Sequence, residues 1–292
     1  RGGWPMTIIM TPDQKPFFSG TYFPKETRGR LVGMVELIPK VAEMWVTNRE
    51  NLLDISNKIL YTLTSNYSTS DNIGQISESS IDKCYQNLRN SYDSSDGGFG
   101  TQPKFPRSHD FSFLLKYYSK TKNIEALEMA EFSLNKIRNG GIYDQIGYGL
   151  HRYSVDKRWL VPHFEKMLYD QALLIHAFID LYMVTKNDRY KEIVNEIITY
   201  LERDMLSDLG VFYSAEDADS QGKEGIYYIW TYDEIINLGF DEDDFEIVLD
   251  YFNISKKGNF EHNTNILTRD DYNNIGKNYS IEKIKTLINE MF

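Results

Sequence analysis

Beyond residue 80, apolar positions recur at three- and four-residue spacing for most of the chain. This pattern predicts helices over residues 81–92, 109–120, 124–139, 165–185, 190–205, 233–238 and 242–251. The start reads differently. Thr7-Ile8-Ile9-Met10 has the character of a strand, Pro12 to Lys15 of a turn, and Phe17-Phe18 with Thr21-Tyr22 of the returning strand. Residues 31–64 are helical in pattern, with a break expected near Pro39 and a second helix from about Arg49. A polar stretch over 66–80 then reads as a linker, which divides the chain into residues 1–68 and 69–292.

A short phrase punctuates the helices: Gly97-Gly98-Phe99, Gly140-Gly141-Ile142-Tyr143 and Gly210-Val211-Phe212-Tyr213, with a weaker copy at Gly258-Asn259-Phe260. A glycine–aromatic loop once per helix pair is a repeat signature. Helical hairpins stacked in this way build an (α/α) toroid whose loops open on one end. The fold class expected is therefore mainly α: an incomplete toroid preceded by a small α/β piece.

Composition narrows the partners. The chain has 292 residues, 14% aromatic, with a net charge of -11. That charge argues against nucleic acid, which needs basic patches. An acidic, aromatic-rich surface suits neutral ligands such as sugars. No apolar run is long enough to span a membrane. Cys84 is the single cysteine, so an internal disulfide is excluded and a reducing cytoplasm is the expected setting.

Chemistry concentrates between Gly140 and Ile179, where glycines, three of the five histidines, Trp159 and mixed charges crowd one loop and the segment after it. With Pro162 read as the first residue of a helix, His163 and Asp170 share one stripe of it. His163 and Glu165 are candidates for acid–base work at its mouth. In the preceding loop Asp144 is a further candidate acid, Arg152 offers a planar fork for carboxylates or hydroxyls, and His151, Tyr153 and Trp159 offer contact surface. Glu216, Asp217 and Asp219 put three acids within four residues, and close carboxylates raise one another's pKa. Such pairs serve glycoside hydrolysis. Asp217, Asp219, Gln221 and Gly222 also fit the opening of a calcium loop, but position twelve is Tyr228 rather than Glu. No transition-metal spacing is present.

Several segments together carry a resemblance: Arg1 to Pro5 (RGGWP), Phe17 to Pro24 (FFSGTYFP), Pro103 to Pro106 (PKFP), His151 to Ser154 (HRYS), Arg158 to Gln171 (RWLVPHFEKMLYDQ), Ser214 to Ser220 (SAEDADS) and Tyr228 to Thr231 (YIWT). They resemble the spermatogenesis-associated protein 20 / thioredoxin-domain family. The resemblance implies the C-terminal part of a thioredoxin-like domain, with Pro5 at its cis-proline position, followed by a six-hairpin toroid similar to N-acylglucosamine 2-epimerases and six-hairpin glycosidases. The family's Cys-x-x-Cys motif would lie upstream of Gly2, and a full toroid needs more helices than residues 76–292 supply, so the chain reads as truncated at both ends.

The expectation is a carbohydrate-active protein, epimerase-, isomerase- or glycosidase-like, that needs no metal or cofactor. His163, Glu165, Asp144, Glu216 and Asp217 are its candidate catalytic groups. His151, Arg152, Tyr153, Trp159, Asp170 and Trp230 are its candidate contacts to a sugar-like ligand. The rivals are a redox or chaperone-type protein whose toroid holds a client, and a non-catalytic binding module. With one thiol, no disulfide exchange is expected of this chain.

Overall fold

A computed structural model of the chain describes residues 5–67, 77–269 and 279–292. The peptide bond before Pro5 and most of the polar 66–80 stretch lie outside the described residues. By internal contacts the chain divides into Arg1–Ile76 and Ser77–Phe292.

In the first unit, β1 (Thr7–Met10) and β2 (Pro16–Gly20) form an antiparallel hairpin, followed by α1 (Met34–Thr47) and α2 (Arg49–Tyr67). Phe17, on the inward face of β2, stacks on Trp45 of α1 with ring centroids 5.7 Å apart. Leu37 and Leu52 complete this small core. The helix does not break at Pro39. It runs through that residue and ends at Asn48, because one missing N–H forfeits only one hydrogen bond while the helix keeps its apolar face.

The second unit is mainly α, as expected. It contains α3 (Glu78–Ser91), α4 (Ser108–Thr121), α5 (Ile124–Asn139), α6 (Leu168–Thr185) and α7 (Asp188–Tyr200), which continues as a π-turn over Leu201–Met205. These pack as successive hairpins: α4 lies against both α5 and α6, and α6 against α7. Caps set their starts: the Asn123 side chain accepts from the Ala126 N–H, and that of Asn187 from the Arg189 N–H. After them come α8 (Tyr232–Asn237), opened by a Thr231–Glu234 capping box, α9 (Glu242–Tyr251) and α10 (Ile281–Met291). One apolar cluster fills the α3–α7 hairpins, and a second joins α8, α9 and α10.

Between the helices lie short antiparallel ladders that helical periodicity does not signal: β3 (Tyr153–Ser154) with β4 (Pro162–His163), β5 (Lys166–Met167) with β6 (Ala215–Glu216), β7 (Asp219–Ser220) with β8 (Lys223–Glu224), and β9 (Ile229–Thr231) with β10 (Thr264–Ile266). The helix expected to start at Pro162 therefore starts at Leu168. Residues 162–167 are extended because β3 and β6 satisfy their backbone groups.

Glycines in two of the repeated loops, Gly97-Gly98 and Gly140-Gly141, meet the core at close range. Gly98 sits at φ +77°, and a Cβ there would lie 2.5 Å from the Trp159 ring. Any other residue would displace that indole.

Candidate functional site

Where the loop after α5, the β4–β5 strand, the acidic loop and α10 meet, two cavities adjoin, of about 210 Å³ and about 260 Å³. Asp144, Gly147, Tyr227, Tyr228 and Phe292 line both. The smaller is walled by aromatic groups, Phe164 and Trp230 among them, with His151 set into it. The larger is charged, with Lys166, Arg203, Glu216 and Asp217.

Strand alternation decides what reaches these cavities. Along Pro162–Met167 successive side chains face opposite sides. Phe164 and Lys166 are buried on the cavity side, and His163 and Glu165 are half-buried on the other. Lys166 donates to Asp144 Oδ2 at 2.9 Å and to the Tyr148 carbonyl at 2.8 Å. Its ammonium also lies 4.5 Å and 4.7 Å from the ring centroids of Tyr200 and Tyr228. Asp144 Oδ1 accepts from the Ile146 and Gly147 N–H groups, closing the tight loop that carries it. Burial works against ionising Asp144, but Lys166, His151 and these hydrogen bonds prevail, and the carboxyl titrates below its usual range.

His151 is 1% exposed. Its Nδ1 lies 3.0 Å from the Phe164 carbonyl oxygen, which can only accept, so Nδ1 carries the proton and Nε2 is left as an acceptor. Burial first, and the charge of Lys166 second, hold its pKa down to about 3, so the ring is neutral at physiological pH. Edge contacts to Tyr228 and Phe164, with centroids 4.6 Å and 5.3 Å away, fix its plane.

Glu216, on β6 opposite Lys166, accepts from the Tyr200 hydroxyl at 2.6 Å. Burial, then Glu216, raise the Tyr200 pKa, and burial and Glu216 raise that of Tyr228, so both phenols remain O–H donors. Asp217 is exposed and accepts from the Asp219 N–H.

Asp144, His151, Glu216, Asp217 and Trp230 thus line the cavities. Arg152, Tyr153, His163, Glu165 and Asp170 do not. They form a second cluster on the opposite face of β4–β5. There Arg152 Nη1 donates to Glu165 Oε2 at 2.8 Å, and His163 Nδ1 lies 2.6 Å from Glu224 Oε1 and stacks on Tyr153 at 5.0 Å. Asp170 Oδ2 is buried without a hydrogen-bond partner, and burial pushes that carboxyl up to about 6. Trp159 joins neither group. It is 0% exposed and donates from Nε1 to the Asp96 carbonyl at 2.8 Å, so it is a core residue and not a platform for a ligand.

Helical reading of residues 162–167 is what misplaced His163, and it also hid Lys166. The signal for Lys166 was the period-two alternation of Phe164, Lys166 and their neighbours. Tyr200 and Tyr228 carried no signal beyond their types.

Among the described residues, no group of three or more His, Cys, Asp or Glu side chains is placed to hold a metal ion. No helix among them is long and apolar enough to cross a membrane.

Residues 1–64 match the family model Thioredox_DsbH, whose description is a protein of unknown function, DUF255. Spermatogenesis-associated protein 20 of Homo sapiens is 39% identical over 250 residues, which are 81% of this chain and 32% of that protein. The Rattus norvegicus protein of the same name is 33% identical over 99% of this chain and 41% of its own length. Among solved structures, cellobiose 2-epimerase from Bacillus thermoamylovorans B4167 aligns at 12% identity and a TM-score of 0.43, over 73% of this chain and 70% of that one. A sugar epimerase from a ruminal bacterium aligns at 18% identity and a TM-score of 0.42, over 54% and 47%. The chain is a homologue of spermatogenesis-associated protein 20 over most of its own length, and spans 32% to 41% of the mammalian relatives it matches.

Proposed function

We propose that the adjoining cavities bind a sugar-like, polyhydroxylated ligand and move a proton on it, as an epimerase-, isomerase- or glycosidase-like enzyme does. One observation carries the reading: a neutral imidazole and two carboxylates, His151 with Asp144 and Glu216, line a pair of adjoining cavities, one walled mainly by aromatic groups and the other by charged ones. Aromatic faces take the C–H face of a sugar ring, and the polar groups take its hydroxyls.

The groups divide the work by environment. Asp144, tied to Lys166, stays charged and orients both the ammonium and the loop. His151 Nε2 is an acceptor for a ligand hydroxyl. Glu216 is the group to exchange a proton, with the Tyr200 hydroxyl as its hydrogen-bond partner. Lys166 supplies positive charge where an oxygen would become anionic.

A second reading, a redox or chaperone-type protein whose helical unit holds a client, is favoured by the thioredoxin-like match of residues 1–64. Cys84, exposed on α3, is the only thiol here. Insulin reduction by this chain should not exceed that of Cys84→Ser.

The test is a thermal-shift screen of neutral mono- and disaccharides, with hits followed by proton NMR in D2O for exchange or bond cleavage. Glu216→Gln should lower turnover by about 10²–10⁴-fold with the fold intact by circular dichroism. A screen without hits, or Glu216→Gln turning over at the wild-type rate, would contradict the assignment.

A further inference from the structure

We propose that the charged cavity takes a primary ammonium, so that the ligand is an amino sugar with a free amine. The proposal rests on the sugar-binding role of these cavities and names the chemical class of the ligand. Asp144, Asp204, Glu216 and Asp217 line the charged cavity against two cations, Lys166 and Arg203.

Both cations are engaged. Lys166 donates to Asp144 and to the Tyr148 carbonyl. Arg203 donates from Nε and Nη2 to the two oxygens of Asp204, and from Nη2 to the Gly147 carbonyl at 2.7 Å. Asp144 and Asp204 therefore have both oxygens bonded. Glu216 and Asp217 do not. Glu216 Oε2 accepts from the Tyr200 hydroxyl, and Asp217 Oδ1 from the Asp219 N–H. Among the described residues each keeps its second oxygen without a hydrogen bond, and neither forms an ion pair.

A separate group also asks for a ligand. His151, 1% exposed, lines the adjoining aromatic cavity, and its Nε2 has no hydrogen-bond partner among the described residues. A buried acceptor left in this state is costly unless a ligand brings a donor.

An amino sugar answers both demands. Its ammonium carries three donors, which suit the open oxygens of Glu216 and Asp217 as charge-assisted hydrogen bonds. Tyr227 lines both cavities and is 70% exposed, so its ring face is open to the same cation. A hydroxyl of the sugar supplies the donor for His151 Nε2. An anionic substituent would find both cations spent and two carboxylates facing it. An N-acylated amine has no charge to offer them.

The test is calorimetric titration of glucosamine, N-acetylglucosamine, glucose and glucose 6-phosphate into the unaltered chain and into Asp217→Asn. A pH of about 6.5 keeps the amine charged. Glucosamine should bind at least about tenfold more tightly than each of the other three, the scale of one charged hydrogen bond. Asp217→Asn, with its fold checked by circular dichroism, should cut that preference by about threefold or more. Ethanolamine, an amine without a ring, should bind at least about tenfold more weakly than glucosamine. Glucose or glucose 6-phosphate binding as tightly as glucosamine would overturn the ammonium assignment and leave the sugar reading standing. So would a preference unchanged in Asp217→Asn, or ethanolamine equal to glucosamine, which marks charge attraction alone. Binding of none of the four sugars would overturn the proposal together with the sugar reading.

Discussion

The two faces of Pro162–Met167 use the same kinds of residue to opposite effect. On the cavity side Lys166 and Asp144 form a pair with side chains 2% and 11% exposed. On the other side Arg152 and Glu165 form a pair at nearly the same distance, with side chains 28% and 30% exposed. One pair is sunk among Tyr200, Tyr228 and His151, and the other is half-buried, within reach of water. What separates them is a single step of strand alternation, so a one-residue change of register would exchange an electrostatically sensitive site for a solvated surface.

That contrast is sharpest in stability. Lys166→Met leaves Asp144 charged, buried and unpaired, and should cost about 3–5 kcal/mol in denaturant unfolding. Glu165→Gln, which breaks the half-buried pair, should cost no more than about 1 kcal/mol. Equal losses would show that the two faces are not electrostatically distinct.

Gly98→Ala comes next. It combines a left-handed backbone with a contact of 2.5 Å to the Trp159 ring, and should destabilise by about 1–3 kcal/mol. If Trp159 had room to move, only the cost of the left-handed backbone, about 1 kcal/mol, would remain.

The smallest expected effect is a pH dependence. The folded pKa of Asp170 is about 6, above the ordinary 3.8, chiefly through burial, with Glu165 adding to the rise and Arg152 opposing it. A raised carboxyl pKa means that the native state takes up a proton first as pH falls. Asp170 therefore destabilises the fold above pH 6, and this penalty is relieved between pH 6 and 4. Allowing for its partial exposure, Asp170→Asn should gain on the order of 1 kcal/mol at pH 7.5 and little at pH 4.5. Asp144 has the opposite sign: its pKa is lowered, so its contribution is present at neutral pH and lost in acid below its ordinary pKa. A stability profile of Asp170→Asn parallel to wild type between pH 4.5 and 7.5 would remove this distinction.

Helical content was readable because α3 to α7 and α9 each repeat an apolar stripe over several turns, long enough to average out exceptions. The 124–139 and 242–251 expectations match α5 and α9. The Gly97-Gly98-Phe99 loop has a steric reason for its glycine, since Gly98 has no room for a side chain. Residues 162–167 were not. Six residues give too little pattern to separate period two from the start of a helix, particularly with Pro162 leading and a true helix beginning at Leu168. Trp159 was misread because an indole in a glycine-rich loop has the same composition whether it faces a ligand or the core. Asp144, His151, Glu216, Asp217 and Trp230 were named by residue type alone, and only tertiary packing sets them at the cavities, apart from His163 and Glu165.

The most direct measurement is calorimetric titration of the strongest sugar hit into wild type, Trp230→Ala and Tyr153→Ala. Trp230 lines the aromatic cavity, and Tyr153 stacks on His163 across the strand. Loss of a stacking wall at the true site should weaken binding by at least about tenfold, or roughly 1.4 kcal/mol. The account predicts that loss for Trp230→Ala and wild-type affinity for Tyr153→Ala. Unchanged binding in Trp230→Ala with loss in Tyr153→Ala would place the ligand on the His163 face and contradict it.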